Sequence, residues 1–327
     1  MYSLYPMKFN PILKYRIWGG HKIQKNFGFS EKDMDKCGEA WVLSGVKGSE
    51  SIVSNGHFAG NTLLEMSEIF MDDLLGEELY KKHNDEFPVL LKIIDADDFL
   101  SVQVHPDDAM AKVKHNMRNG KSEMWYIIHA EPGAQIVAGF NQPMNKEKLL
   151  KHIESGTIKD ILNFHSVNSG DMIFIPAGMV HATGSGILLA EIQQTSDITY
   201  RLYDWDRTDE HGKSRELHIS DALDAIDYEL KPNLIRGFNP KVNQTTPMID
   251  TPFFKTSFVS LHATVEKNLE LVDSCVIYFA LSGSFDLQSD NEIIKVNSGS
   301  CVLIPACMEN IVLVPDHKAE IVEVIGL

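Results

Sequence analysis

The sequence predicts a mainly β protein with a helical layer, organised as two β-barrels. Three observations carry that expectation. First, the stretch Gly170 to His181 reads G-x5-P-x-G-x2-H. Its apolar run, Met172 to Ile175, suits a short buried strand; Gly170 and Asp171 turn into it, and Pro176 ends the ladder. Gly178 then allows a tight corner that sends His181 back into the barrel mouth. Second, Gly299 to Ala306 repeats Gly170 to Ala177 in spacing: glycine, five residues, proline, alanine. The position matching His181 is Asn310, so the second copy keeps the barrel punctuation and loses the histidine. Third, short apolar or alternating runs bounded by turn residues recur along both halves, the pattern of many short strands.

The first of these stretches resembles the second signature of the cupin (jelly-roll) β-barrels, which commonly hold a metal there. The plainer alternative is a buried histidine after an ordinary turn. In chain order, residues 6 to 60 read as short strands and turns. Asn61 and Thr62 can cap a helix over Leu63, Leu64, Met66 and Ile69, and a second helix covers Asp72 to Lys82; together they form a helical layer on the first sheet. Phe87 to Ile94 is a strand, Asp95 to Asp98 a polar turn, and Leu100 to His105 a strand ended by Pro106. Asp107 to Asn119 is a short helix and loop, and Lys121 to Ile128 the next strand. Residues 145 to 163 read as helix, with Asn145 as cap. After the proline corner come the strand Ile187 to Gln194, the segment Thr199 to Asp204, a polar loop from Arg207 to Arg215, and a helix capped by Ser220. The loop from Lys231 through Pro247 is the best boundary. It divides a catalytic domain with helical segments, 1–235, from a degenerate, cupin-like C-terminal barrel, 236–327, that binds no metal. Strands there are expected at Phe253 to Leu261, Cys275 to Leu281, Gly283 to Leu287, Glu292 to Val296 and Cys301 to Ile304.

Composition narrows the class. At 327 residues the chain suits one large and one smaller domain, and 43% hydrophobic with 23% charged residues is ordinary for a soluble globular protein. A net charge of −16 argues against non-specific nucleic-acid binding but leaves room for a cationic pocket that takes a small anion. Met1 to Asn10 has no apolar core of a signal peptide, and no apolar run reaches membrane-spanning length, so a cytoplasmic protein without a membrane partner is expected. Cys37, Cys275, Cys301 and Cys307 show no CxxC pairing and read as small buried apolar residues. The sequence leaves the oligomeric state open.

Strand parity then groups a site. Side chains alternate faces, so Ser101, Gln103 and His105 share one face while Val102 and Val104 take the other. A polar triplet backed by valines is odd in a barrel unless that face lines a site. Lys121 and Glu123 face together by the same rule, as do Glu191 and Gln193. Gln103, His105, Glu123 and His181 can therefore meet. Two imidazoles, a carboxylate and an amide oxygen suit Zn²⁺, one per chain, although Fe²⁺, Mn²⁺ or Co²⁺ fit the same donors. His129 and His165 read as packing or surface residues, and His115, His152 and His211 as solvated.

At this point the chain resembles the type I phosphomannose (mannose-6-phosphate) isomerases of the shorter bacterial kind. The likeness lies in Ile17 to Gly20, Gly38 to Trp41, Leu91 to Ala96, Leu100 to Pro106, Gly120 to Glu123, Pro176 to Gly184 and Glu191 to Asp204. The resemblance implies zinc on Gln103, His105, Glu123 and His181, and a catalytic arginine at Arg201. It also implies phosphate and sugar contacts around Lys92, Ser101 and Lys121, with Glu191 lining the site. The larger helical insertion of the longer members is missing before the proline corner. The implied reaction interconverts mannose 6-phosphate and fructose 6-phosphate through a cis-enediol, with the metal and Arg201 stabilising the charge that develops. Lys121, Glu191 and a water on the metal are the candidates for the proton-carrying base, and a lysine base needs a lowered pKa. Two alternatives stand beside this reading. One is another metal cupin such as an oxygenase, since two histidines and a carboxylate also suit Fe²⁺. The other is a non-enzymatic sugar-sensing cupin.

Overall fold

The structure, a computed structural model, describes residues 3–32, 34–208, 212–289 and 292–327; His211 lies outside the described residues. The chain is mainly β with a few short helices. It divides into two compact units: Leu13–Glu39 with Ile93–Phe238, and Met1–Ile12 with Ala40–Lys92 and Asn239–Leu327.

In the first of these units two sheets enclose an apolar core. One sheet has the order Tyr200–Tyr203, Val102–Val104, His181–Thr183, Gln135–Phe140, Leu162–Ser166. The other runs Asn233–Ile235, Met172–Ile175, Glu123–Ala130, Ile187–Gln194, and then the 93–96 end of Val89–Ala96. Trp125, Ile127, Ile136, Ala138, Ile173, Ile175 and Leu189 pack together between them. Two of these strands, Gln135–Phe140 and Leu162–Ser166, were not expected from the sequence. The second of them occupies the end of the stretch read as helix; that helix, Lys146–Glu154, stops at Ser155 after starting from the Asn145 cap.

The valines opposite the polar triplet have a simple explanation. Val102, Val104, Ala182 and Leu202 form a second buried cluster on the outer side of their sheet, with Leu149, Ala222 and Leu223 from two helices. The sheet is therefore covered on both faces, and alternation separates an outer face under helices from an inner face free to carry polar groups. The helix Ile219–Ala225 begins from His218, with no side-chain cap, so Ser220 is a helical residue and not the cap. Its start is set by the neighbouring strand: the His218 N–H donates to Arg201 O (2.8 Å), and the Arg201 N–H donates to His218 Nδ1 (3.1 Å). Asp95 and Ala96 extend their strand and do not form a turn. The buried Asp95 carboxylate is accommodated there because the Lys22 N–H, opening the unexpected helix Lys22–Phe27, donates to it at 2.6 Å.

The other unit carries an eight-stranded sheet with the central order Met7–Lys8, Cys301–Ile304, Val276–Ser289, Asn310–Gly326, Phe254–Leu261, Thr245–Asp250. Where two strands were expected between Cys275 and Leu287 there is one, bent by register shifts near Ala280 and Gly283. Gly283 has φ 72°, and a Cβ there would fall 2.0 Å from Lys318 O, so only glycine lets the bend close. The helices Leu63–Leu75 and Glu77–His83, both expected, belong to this unit. Leu74, Asp73 and Leu75 accept backbone hydrogen bonds from Ala306, Cys307 and Cys275. Thr62 and Glu65 form a reciprocal capping box at the start of the longer helix. Cys37, Cys275 and Cys301 are buried as expected, whereas Cys307 is exposed. Asn310 is exposed and pairs with Asn268.

Because Leu202 is 1% exposed within the outer cluster, Leu202→Ala is expected to cost about 2–5 kcal/mol in urea unfolding. A loss below about 1 kcal/mol would mean that the helical cover does not hold the sheet.

Candidate active site

Backbone register places the site. Arg201 and His181 are each the cross-strand partner of Gln103, so the three residues stand in a row across the inner face of one sheet. On the facing sheet Glu123 is partnered by Gln193 on one side and Ile175 on the other. The two rows bring a cluster together. Ligand atoms of His105, Glu123 and His181 all lie within 4.8 Å of one another, and the three residues are 1%, 0% and 0% exposed. His181 Nε2 is 3.3 Å from Glu123 Oε1, and His105 Nε2 is 3.5 Å from Oε2. Gln103 Nε2 stands 3.3 Å from His181 Nε2. Sequence parity had grouped these four residues, and the structure brings them together.

Both imidazoles are held from behind. His181 Nδ1 donates to Met179 O at 2.8 Å, and His105 Nδ1 donates to Ile198 O at 2.9 Å. A ring that donates from Nδ1 while neutral keeps its lone pair on Nε2, which here faces the carboxylate. Burial pushes the His181 pKa down to about 4, against the pull of the Met179 bond and with help from the Lys121 charge. His181 is therefore neutral at physiological pH and free to act as a ligand.

Lys121 sits in the same cluster, 4% exposed, with Nζ 2.7 Å from Glu123 Oε2 and 2.9 Å from His105 Nε2. Burial works against its charge, but Glu123 and Glu191 outweigh burial and raise its pKa above the ordinary lysine value. The lowered pKa that a lysine base needs is absent from this arrangement. Glu191 is 3% exposed and accepts the indole N–H of Trp125 at 3.0 Å. Ser101 is buried one alternation before Gln103. Lys92 belongs to the other compact unit, where it is 4% exposed and holds its ammonium 5.0 Å from the centre of the Trp41 ring.

Arg201 lies among like charges. Its pKa is lowered, first by burial and then by Arg215, with Asp204 opposing. Asp204 accepts from both Arg207 (2.7 Å to Nη2) and Arg215 (2.7 Å to Nε), so one carboxylate is shared by two guanidinium groups beside a third. Arg201 Nη1 donates to Glu216 O at 2.7 Å, while its Nε is buried without a hydrogen-bond partner. Local positive charge of this kind suits an anion in a chain that is acidic overall.

The residues fit a divalent cation. Glu123 is wholly buried, yet neither of its oxygens makes a well-aligned hydrogen bond, although Lys121 stands close to one. A buried carboxylate in that state, between two inward imidazole nitrogens, is a donor set that suits a divalent metal ion. Several supporting groups were not singled out by sequence reasoning. Trp125 shares the parity of Glu123 and was legible on that ground. The carbonyls of Met179 and Ile198 carry no sequence signal, because any residue supplies a carbonyl.

Comparison with known proteins agrees with the geometry. The family model for the type I phosphomannose isomerase catalytic domain matches residues 7–123. Mannose-6-phosphate isomerase ManA of Bacillus subtilis (strain 168) is 35% identical over 302 residues, covering 92% of this chain and 93% of that protein. The mannose-6-phosphate isomerase of Streptococcus mutans serotype c is 36% identical over 258 residues, 76% of this chain and 77% of that protein. Among solved structures, the mannose 6-phosphate isomerase from Bacillus subtilis matches with a TM-score of 0.82 at 28% identity, covering 98% of this chain and 99% of that one. The oxygenase and sugar-sensing alternatives are not favoured by these relatives. Since the likeness runs through nearly the whole length and not through one motif, the chain belongs to the type I phosphomannose isomerase family.

Proposed function

We propose that this protein interconverts mannose 6-phosphate and fructose 6-phosphate, with the buried cluster around Glu123 as its centre. The observation that carries the reading is the pair of imidazoles fixed by Met179 O and Ile198 O, with both Nε2 atoms aimed at one wholly buried carboxylate. His105 Nε2, His181 Nε2 and a Glu123 oxygen would hold the ion, zinc in this reading and one per chain. Gln103 would join them through Oε1 after a half-turn of its amide. When bound, zinc supplies positive charge beside the sugar oxygens on which negative charge develops.

The chain's own residues do the rest. The isomerisation moves one proton between C1 and C2 through a cis-enediol. Arg201, in register with Gln103, adds fixed positive charge along the same inner face. Glu191 is the protein group proposed to take the proton, held in one orientation by Trp125, and Lys121, charged in this arrangement, is proposed to act as a proton donor beside the sugar oxygens. Lys92 and Ser101 are proposed as phosphate ligands. The arginines around Asp204 favour an anionic substrate, in keeping with a sugar phosphate. The fold is read as two cupin-like barrels, the first carrying the site. The division into a catalytic domain, 1–235, and a C-terminal barrel, 236–327, is part of the proposal; one break between compact units falls at Phe238 and Asn239, while Met1–Ile12 and Ala40–Lys92 group with the C-terminal residues. No helix among the described residues is long and apolar enough to cross a membrane, and a cytoplasmic setting is part of the proposal.

A coupled assay should detect fructose 6-phosphate formed from mannose 6-phosphate. Activity should fall by at least about 100-fold on chelation and return with Zn²⁺, and metal analysis should find one ion per chain. An ion-free preparation that isomerises at full speed would overturn the metal reading. Lys92→Ala is expected to weaken turnover of the phosphorylated sugar while leaving the trace reaction of free mannose unchanged. Equal weakening of both would remove Lys92 as a phosphate ligand.

A further inference from the structure

We propose that Ser122 and Gln194, anchored by Asp108, are positioning residues that set the spacing between Glu123 and His181. The inference rests on the metal reading above and adds to it three residues that face away from the cluster. Ser122 lies between Lys121 and Glu123, so alternation turns its side chain outward from the site. It is 2% exposed nonetheless, and Gln194 is 3% exposed.

The polar groups of this short segment are engaged one by one. The Ser122 N–H donates to Gln194 Oε1 at 2.9 Å, and the Gln194 N–H donates to Ser122 O at 3.1 Å. Gln194 Nε2 donates to Asp108 Oδ1 at 2.9 Å, and the same oxygen accepts the Gly120 N–H at 2.7 Å. The Lys121 N–H donates to Pro106 O at 3.0 Å. Gly120 is required for that approach, since a Cβ there would lie 2.5 Å from Pro106 O and from the Asp107 carbonyl carbon. The Ser122 hydroxyl then reaches the proline corner, where it accepts the Ala177 N–H at 3.1 Å. One residue on, the Gly178 N–H donates to His105 O at 2.9 Å. The corner that delivers His181 is thus latched at two points, one beside Glu123 and one on His105 itself.

These bonds join three of the proposed ligands through segments distant in sequence. A divalent ion accepts little error in ligand spacing, and groups that orient ligands from behind usually control affinity about as strongly as mutation of an outer partner can, roughly 10–100-fold. Ser122→Ala leaves the Ala177 N–H without its acceptor and frees the corner to shift against Glu123. Gln194→Met keeps the volume while releasing Ser122 and Asp108.

The test measures zinc affinity by competition with a chromophoric chelator, and thermal unfolding of the zinc-free protein, for the full chain. Ser122→Ala and Gln194→Met are expected to bind zinc about 10–100-fold more weakly, with Ser122→Thr recovering most of the loss. Zinc affinity within 2-fold of wild type in both variants overturns the proposal, as does a lower melting temperature with unchanged affinity, which is the signature of a merely structural role. Glu123→Gln is the reference. If wild-type zinc binding is indifferent to Glu123→Gln, the metal reading itself falls and this inference with it. If Glu123→Gln abolishes binding while Ser122→Ala and Gln194→Met do not affect it, only the positioning role is lost.

Discussion

The structure around the site depends on burying one carboxylate. Glu123 has no exposure, and removing an ionised carboxylate from water costs several kcal/mol unless compensating groups surround it. Lys121 two residues earlier supplies one such charge, while the Nε2 atoms of His105 and His181 face the carboxylate without donating to it, which leaves room for a cation. Each of these partners is itself buried and needs its own support, which explains why so many backbone groups in this region are engaged. Removing Lys121 would leave the buried Glu123 carboxylate without its nearest positive charge.

The support comes mainly from the backbone. Carbonyls of Met179 and Ile198 fix the two imidazole tautomers, and sheet register sets Arg201, Gln103 and His181 side by side. Such scaffolding is rigid because strands cannot slide by one residue without turning every inward group outward. The outer face enforces the same register, since Val102, Val104 and Leu202 find their apolar partners only when Gln103 and Arg201 point inward. Packing of the helical layer and geometry of the polar row are therefore one constraint seen from two sides.

Charge is arranged unevenly. A chain of net charge −16 gathers Arg201, Arg207 and Arg215 near Asp204, with Asp98 as a further partner of Arg207. Arg201, whose Nε is buried without a hydrogen-bond partner, keeps a donor that an anion could use. Glu191, tied to Trp125, brings a second oriented carboxylate to the same interior without a metal-ligand geometry of its own.

Much of this was legible in the sequence because alternation is local. The parity of Gln103 with His105 and of Lys121 with Glu123, the proline corner before His181, and the second glycine–proline repeat ending in Asn310 all follow from residue type and spacing. What sequence periodicity misjudged were features set at a distance. Ser220 lost the cap role because pairing between His218 and Arg201 fixes that helix start; the bend at Gly283 merged two strands into one; and the end of the helix Leu63–Leu75 bonded to Cys275, Ala306 and Cys307, which flank C-terminal strands. The sequence by itself determined which side chains face inward, since that is a property of one strand. Only the tertiary structure decided which imidazole nitrogen is free, how far Glu123 lies from His181, and which outward-facing residues brace them, because those depend on carbonyls and amides that every residue possesses and only folding brings together.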